Sequence, residues 1–162
     1  YGCMQSGLIG FNFGDTEYSS YFGNSDSDGK MKTGKQTGVY DGDDDTGTYY
    51  FNTSGSYKGG GYTGVKDDYL YYKGKLVEAD EDSDYQVFCI NVSGTDTYYL
   101  VNESGKVQTS NKKYKSDGEY KYQYSSGTIY LIDSDGENPT EVTASDCAAL
   151  PNVSFDAEYT FE

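Results

Sequence analysis

Histidine and tryptophan are absent from this chain, and proline and methionine occur only twice each. Without histidine, the chain cannot form a Ser-His-Asp triad, a Cys-His dyad or a histidine-ligated metal site. A glycine-rich phosphate-binding loop in a strand-to-helix context is missing as well. These absences exclude histidine-dependent hydrolase designs and give no sign of a glycine-loop nucleotide site, and we expect no cofactor.

Basic residues are scarce, because the chain has 12 of them and 27 acidic residues. The formal net charge is -15, and a field of this sign repels nucleic acids and anionic membrane surfaces. No run approaches the roughly 18 apolar residues that a membrane span needs. We therefore expect no nucleic-acid partner and no membrane insertion, whereas neutral or cationic ligands are tolerated.

Aliphatic residues are also few, as a mean hydropathy of -0.80 indicates, yet aromatic residues make up 17% of the chain. Disordered segments are poor in aromatic residues, so this composition predicts a folded chain. The 20 tyrosines must supply most of the apolar area, and each carries a hydroxyl that needs a partner or water. This favours a thin or elongated structure in which the rings are half buried.

The three cysteines, Cys3, Cys89 and Cys147, are an odd number at wide spacing, which matches no zinc or CxxC pattern. One internal disulfide at most can form, and the alternative of three buried or unreactive thiols stays open. Nothing in the pattern indicates reactive-thiol chemistry.

Short aromatic clusters recur along the chain, and each is followed by a polar turn that ends in glycine. The clusters are Tyr21-Phe22, Tyr49-Tyr50-Phe51, Tyr71-Tyr72, Tyr98-Tyr99 and Tyr130, and the turns are residues 25–29, 52–55, 73–74, 102–105 and 133–136. Aromatic residues favour strands, and a polar stretch ending in glycine supplies a turn, so each unit predicts a β-hairpin with a second strand after the glycine. An isolated hairpin is marginal in water, so we expect the hairpins to stack.

The predicted fold is all-β, with stacked β-hairpin repeats over residues 1–136 that form an elongated β-solenoid. Helical periodicity is lacking, apart from one short turn within residues 145–150. The tail, residues 137–162, differs because it holds both prolines and few tyrosines, and its residues 153–161 alternate between apolar and polar. We interpret that alternation as a capping strand with one buried face, the alternative being the first strand of a further segment.

Two segments match the pattern Y-Y-F-x-x-x-G-x-M-x-T-G-W best, namely Tyr21-Phe22 with the following Asp28-Gly29-Lys30-Met31-Lys32-Thr33-Gly34, and residues 1–7. Residues 49–57 and 98–109 also fit it well. This pattern resembles the cell-wall-binding repeats of Gram-positive surface proteins, which include choline-binding repeats, glucan-binding repeats and the receptor-binding regions of large clostridial toxins. The resemblance covers roughly residues 1–136. It implies a secreted or cell-surface hairpin solenoid, attached to another domain, whose ligands lie between hairpins and are caged by aromatic rings.

The chain departs from this family where tryptophan is expected. Cys3 stands where the family often has a tryptophan, and Lys35 follows Gly34 where another is common. Choline sites hold a quaternary ammonium by cation–π attraction to tryptophan faces, which tyrosine supplies less strongly. Sugar rings, which stack on aromatic faces without needing a charge, therefore fit at least as well as choline.

Most tyrosines must pack between hairpins, and the remainder are candidates to line ligand grooves. Neighbouring residues in a strand point to opposite faces, so one member of each doublet should be buried and the other available. The second strands would supply the partners of the doublets. The candidate ligand-binding residues are Tyr49, Tyr50, Tyr57, Tyr62, Tyr71, Tyr72, Tyr98 and Tyr99.

The acidic residues have two specific interpretations beside a solvated surface. Residues 24–29 match the first half of an EF-hand loop, but Lys35 occupies the position of the bidentate glutamate. Residues 41–45 and 80–84 are further acidic clusters, yet turns use the same residues for local hydrogen bonds, so we expect no metal site. Glu78 and Glu103 are the candidates for glycoside hydrolysis. In so acidic a chain some carboxylate pair always has a suitable spacing, so we expect no catalytic residues and no enzymatic activity.

Two functions remain after these exclusions. The first is a non-catalytic module of a larger extracellular or cell-surface protein that binds a cell-wall polymer or another glycan. The second is a structural stalk or adhesin segment that has kept the fold without a small-ligand site.

Overall fold

The computed structural model describes residues 6–24, 29–41 and 45–161. Within these ranges the regular structure consists of strands and one 3-10 turn, Ala144–Asp146, which confirms the all-β prediction. None of the described segments forms a helix long and apolar enough to cross a membrane. The chain divides into two compact units, of which unit 1 comprises residues 1–64, 71–76 and 151–162, and unit 2 comprises residues 65–70 and 77–150.

The strands are short and follow one another closely. They are β1 Leu8–Phe13, β2 Thr16–Tyr21, β3 Gly34–Tyr40, β4 Thr46–Phe51, β5 Gly64–Lys66, β6 Tyr69–Tyr72, β7 Lys75–Leu76, β8 Tyr85–Val92, β9 Thr95–Asn102, β10 Lys112–Ser116, β11 Glu119–Ser125, β12 Thr128–Leu131, β13 Thr140–Glu141 and β14 Ala157–Phe161.

Unit 1 contains a three-stranded sheet with the order β14-β1-β2. The hairpin β1-β2 is antiparallel, and β14 pairs with β1 in parallel, with Ile9 opposite Ala157 and Phe13 opposite Phe161. The C-terminal strand therefore begins at residue 157 rather than 153, and most of it is exposed. The apolar residues that the tail buries are Val153 and Phe155, which pack against the core just before the strand.

The same unit holds a second sheet, in which β3, β4, β7 and the end of β6 are neighbours in that order. Tyr49 of β4 lies opposite Lys75 of β7, and Tyr71 of β6 lies opposite Leu76. The core of the unit consists of Leu8, Tyr21, Val39, Tyr49 and Phe51. Aromatic rings thus supply much of the buried apolar volume, as the shortage of aliphatic residues predicts.

Unit 2 contains the two-stranded sheet β8-β9 and the antiparallel sheet β10-β11-β12-β13. Its core again mixes aliphatic and aromatic residues, with Val87 and Leu100 from the first sheet packing against Tyr114, Tyr122 and Ile129 from the second.

The predicted hairpins are present only in part. Strand β7 follows the turn Lys73-Gly74, and β13 follows the turn at residues 133–136, but the segments 30–33 and 56–58 are not strands. After residues 102–105, Lys106 and Val107 make isolated bridges. The sheets of each unit are separate and small, so a solenoid is not confirmed. The predicted boundary between the repeats, residues 1–136, and the tail, residues 137–162, stays a prediction.

Tight turns between strands occur at two-residue sequences that the repeat pattern does not contain. Ser93-Gly94 joins β8 to β9, Asp117-Gly118 joins β10 to β11, and Ser126-Gly127 joins β11 to β12. Both residues of each pair have positive φ, between 50° and 87°, which is the backbone that a type I′ hairpin turn requires. The hairpins are therefore built around these dipeptides more than around the longer polar stretches.

Candidate functional site

One face of the sheet β14-β1-β2 carries aromatic side chains from all three strands. Phe11 of β1 is paired with Tyr159 of β14 on one side and with Tyr18 of β2 on the other, and Phe13 of β1 is paired with Phe161 of β14. Residues directly opposite each other, and residues two apart in one strand, project to the same face of a sheet. These five rings therefore share one side of unit 1, which we call the aromatic face.

The rings on this face contact one another in a row. Phe13 stacks on Phe161 with centroids 4.9 Å apart and meets the edge of Tyr18 at 5.8 Å. Tyr18 in turn stacks on Tyr57, with centroids 5.3 Å apart and planes inclined by 18°. Tyr57 is 60% exposed and Phe13 is 51% exposed, so the row Tyr57–Tyr18–Phe13–Phe161 offers apolar surface to solvent. A contiguous exposed patch of this kind marks a binding surface more often than a scattered exposed side chain does.

An open groove of about 450 Å³ runs along the row. Its lining includes the aromatic residues Phe11, Phe13, Tyr18 and Tyr57, and the polar residues among its lining are Ser20, Ser56 and Lys58. This volume falls in the range of small-molecule sites, which combine apolar walls with a few polar groups that fix orientation.

The backbone around residues 52–61 places Tyr57 against the sheet. Gly59 donates to the carbonyl of Asn52 at 2.7 Å, and Gly61 donates to the carbonyl of Ser19 on β2 at 2.9 Å. A Cβ atom on Gly61 would lie 2.6 Å from the carbonyl oxygen of Lys73, so this close approach requires glycine. A hydrogen bond between the side chains of Tyr18 and Tyr57 is the main cause that raises the pKa of Tyr18. The position of Tyr57 is thus fixed both by its backbone and by its ring.

An ion pair stands behind β2, on the side away from the aromatic face. The ammonium of Lys73 lies 3.2 Å from a carboxylate oxygen of Glu17, and 5.6 Å from the ring centre of Tyr72. Both partners of the ion pair are more than a third exposed, so the pair contributes little stability. It lies between β2 and the segment that carries Lys73.

The tyrosines that the repeat pattern singles out lie in several places. Tyr57 belongs to the row on the aromatic face. Tyr49 and Tyr71 are buried in unit 1, where no ligand reaches them, while their neighbours Tyr50 and Tyr72 are half buried, as strand alternation predicts. The ring of Tyr50 contacts those of Tyr62 and Tyr71 at 5.7 and 5.6 Å.

The third doublet, Tyr98-Tyr99, lies in unit 2, and both of its residues are half buried. Tyr98 lines a cavity of about 220 Å³ together with Asp96, Thr128 and Glu141. The structure therefore does not bring the eight predicted residues together, and the groove in unit 1 draws on one of them.

The acidic positions show one well-organised group. Asp41, at the start of the acidic cluster 41–45, pairs with Lys75 and accepts the backbone N–H of Ser154 at 3.2 Å. Burial raises the pKa of Asp41, but the hydrogen bonds from Lys75 and Ser154 and the neighbouring hydroxyl of Tyr49 outweigh it and hold that pKa below its usual value. This carboxylate is engaged in structure rather than presented to a ligand.

The other acidic residues that the sequence singles out form no metal site among the described residues. Residues 25–28 of the EF-hand-like loop and residues 42–44 lie outside the described residues. Across the ranges that are described, no three His, Cys, Asp or Glu side chains gather as a metal site would require. Glu78 and Glu103 are both exposed.

Comparison with known proteins adds no assignment. No protein-family model, curated protein or solved structure matches this chain. The site therefore has to be interpreted from its own geometry.

Proposed function

We propose that this chain is a non-catalytic module that binds a neutral glycan on the aromatic face of unit 1. The observation that carries the proposal is the solvent-exposed row Tyr57–Tyr18–Phe13–Phe161 beside a groove whose lining residues include two serines and a lysine. Aromatic faces carry partial negative charge, which suits the polarised C–H groups of a sugar ring. The serine hydroxyls and Lys58 would bond the sugar hydroxyls.

The charge of the protein narrows the class of glycan. A net charge of -15 repels uronic-acid-rich, sulfated and phosphorylated polymers. A neutral polysaccharide of the cell-wall type has no such penalty, and an extended polymer can contact several rings of a row at once. We therefore favour a neutral glycan chain over an anionic one.

The row geometry also favours a sugar over choline. A quaternary ammonium is bound when several ring faces surround it. Here the rings of Tyr18 and Tyr57 already stack on each other, as do those of Phe13 and Phe161, so these pairs enclose no space for a cation. A neutral sugar ring needs no such enclosure.

The wider setting of this proposal comes from the resemblance to Gram-positive cell-wall-binding repeats. It comprises an extracellular or cell-surface location, attachment to another domain, and a longer array in which hairpins stack as a solenoid. The alternative is a stalk or adhesin segment without a small-ligand site, and a binding experiment separates the two.

The test is co-sedimentation of the purified chain with Gram-positive cell walls and with insoluble neutral glucans, followed by calorimetry with soluble fragments. We expect Phe13→Ala and Tyr57→Ala each to weaken binding about 3- to 10-fold, since a ring contact contributes about 0.5–1.5 kcal/mol beyond area burial. Tyr40→Ala is the matched control, because Tyr40 is 51% exposed in unit 1 but lies on β3.

The outcomes distinguish glycan binding from a cation site and from a structural stalk. Pelleting that the two face variants weaken, and that excess choline leaves unchanged, supports glycan binding by the aromatic face. Pelleting that choline reverses would show a cation site instead. No binding to any of these glycans would leave the stalk as the better account.

A further inference from the structure

Two cysteines of unit 2 lie on the same side of the sheet β8-β9. Cys89 lies in β8 directly opposite Tyr98 of β9, and it is two residues from Val87, which belongs to the core of the unit. Alternation along the strand therefore directs the side chain of Cys89 to the core side of this sheet.

Cys147 reaches the same core from a distant part of the sequence. It follows the 3-10 turn Ala144–Asp146 and packs against the core cluster that includes Val87. The backbone N–H of Ala148 donates to the carbonyl of Val87 at 2.8 Å, which ties this segment to β8 within two residues of Cys89. The two thiols, both reduced in this structure, are close enough to interact with each other.

We propose that Cys89 and Cys147 form an intramolecular disulfide bond when the protein meets an oxidising environment. With a small-molecule disulfide such as oxidised glutathione, one cysteine thiolate attacks a glutathione sulfur and releases one glutathione thiol. The second cysteine then displaces the other glutathione from the mixed disulfide. The protein loses two hydrogen atoms, which amount to two protons and two electrons, and these are recovered in two molecules of reduced glutathione.

The position of this bond would make it useful to unit 2. The segment between the two cysteines contains β9 to β13, which includes the whole four-stranded sheet of the unit. Closing so long a loop restricts the unfolded chain, which is the main way in which a disulfide stabilises a fold. A chain poor in aliphatic residues gains more from such a link than one with a large aliphatic core.

The surroundings of the thiols set the conditions of the test. Burial is the main cause that raises the pKa of Cys147 to about 11, and the neighbouring Cys89 is the next. Burial is also the main cause that raises the pKa of Cys89, and Asp96 is the next. The thiolate is the attacking species, so exchange is slow near neutral pH. Oxidation is therefore carried to equilibrium in a glutathione buffer at mildly alkaline pH.

The experiment compares the full chain with a Cys3→Ser variant, which removes the one other thiol. After equilibration we expect the Cys3→Ser variant to have a mass lower by two hydrogen atoms and to resist alkylation by iodoacetamide under denaturing conditions, and we expect both chains to give a cross-linked peptide that joins residues 89 and 147. The oxidised protein should melt roughly 10 °C above the reduced protein. Cys89→Ser and Cys147→Ser are the matched controls, and their melting should be the same with and without oxidant once mixed disulfides are removed.

Three results would overturn the proposal. The first is alkylation of both cysteines after equilibration, and the second is a glutathione adduct on each of them. The third is a peptide map of the wild-type chain in which Cys3, rather than the partner proposed here, is bonded to Cys89 or Cys147. Because mass and peptide mapping are done on the wild-type chain as well, a variant that fails to fold does not remove the test.

Discussion

Replacing Lys75 by methionine should destabilise unit 1 through the carboxylate that it leaves behind. The side chain of Asp41 is 4% exposed, and its ion pair with Lys75 is the closest charged contact that it makes among the described residues. Asp41 also accepts the backbone N–H of Ser154, in the segment that leads into β14. Removing the lysine leaves a buried negative charge with less compensation.

The size of the effect follows from the burial of both partners. Breaking a buried ion pair by removing one partner costs about 3–5 kcal/mol. Lys75 is 27% exposed, so water compensates part of the loss and we expect about 3 kcal/mol. The double variant Lys75→Met, Asp41→Asn should recover most of this cost, because a neutral amide still accepts the N–H of Ser154 and no buried charge remains.

The assay is urea unfolding followed by circular dichroism of the tyrosines, since the chain has no tryptophan to report by fluorescence. Lys30→Met is the matched control, because Lys30 is an exposed lysine of the same unit and its replacement should change stability by less than about 0.5 kcal/mol. If Lys75→Met were as stable as Lys30→Met at pH 7, the reasoning about this carboxylate would be wrong.

The same pair predicts a dependence on pH with a definite sign. The folded-state pKa of Asp41 is lowered, so its stabilisation is fully present above the unfolded value of about 3.9 and is lost as the pH falls through the folded value. The difference between wild type and Lys75→Met should therefore be largest near neutral pH and shrink below about pH 4. A difference that stayed constant on acidification would show that the variant acts through packing instead of charge.

Two further substitutions probe the packing of unit 1. Gly10→Ala places a Cβ 2.8 Å from the ring of Phe155, so we expect the free energy of unfolding to fall by about 1–3 kcal/mol in thermal melts. Adding Phe155→Leu to the same chain should recover part of this loss. An unchanged melting temperature for Gly10→Ala would contradict the packing of Gly10 against Phe155. Tyr49→Phe removes a buried hydroxyl that has no well-formed hydrogen bond among the described residues, although burial, and after it the neighbouring Asp41, raises the pKa of Tyr49. We expect stability within about 1 kcal/mol of wild type by urea unfolding, and a loss beyond that would mean that the hydroxyl is properly bonded to Asp41.

Local sequence pattern predicts the strand content and the facing of several residues. The shortage of aliphatic residues requires aromatic rings in the core, and Tyr49 and Phe51 lie there. Alternation correctly separates Tyr49 from Tyr50 and Tyr71 from Tyr72. These features depend on neighbours in the chain, which the sequence displays directly.

The local sequence does not predict the positions of the hairpin turns, because two kinds of polar stretch ending in glycine look alike. The stretch at residues 52–55 leads into irregular backbone, whereas Asp117-Gly118 makes a tight hairpin turn. A two-residue turn needs positive φ at both positions, and a polar residue directly before glycine satisfies this need. Ser54-Gly55 has the same form as the hairpin turn Ser93-Gly94, so the dipeptide alone does not predict which turns join adjacent strands.

The aromatic face depends on a pairing that no local pattern reveals. Phe11-x-Phe13 and Tyr159-x-Phe161 each show two aromatic residues at strand spacing, which is a visible signal. Their combination into one face requires β14 to pair in parallel with β1 from the other end of the described chain. The repeat pattern points instead to tyrosine doublets, of which Tyr49-Tyr50 and Tyr71-Tyr72 place one ring in the core, while both rings of Tyr98-Tyr99 are half buried.

The register of β14 on β1 is fixed by polar contacts at the beginning of the pairing. The carboxylate of Asp156 accepts the N–H of Leu8 at 2.8 Å, and the N–H of Asp156 donates to the carbonyl of Leu8 at 2.8 Å. Gly7 is needed here, because a Cβ on it would collide with the carboxylate of Asp156. A slip of one residue would turn Tyr159 and Phe161 to the opposite side of the sheet and break the row. The binding surface that we propose therefore depends on a two-point hydrogen-bonded contact at the opposite end of the strand pair, and on Asp41 holding Ser154 just before it.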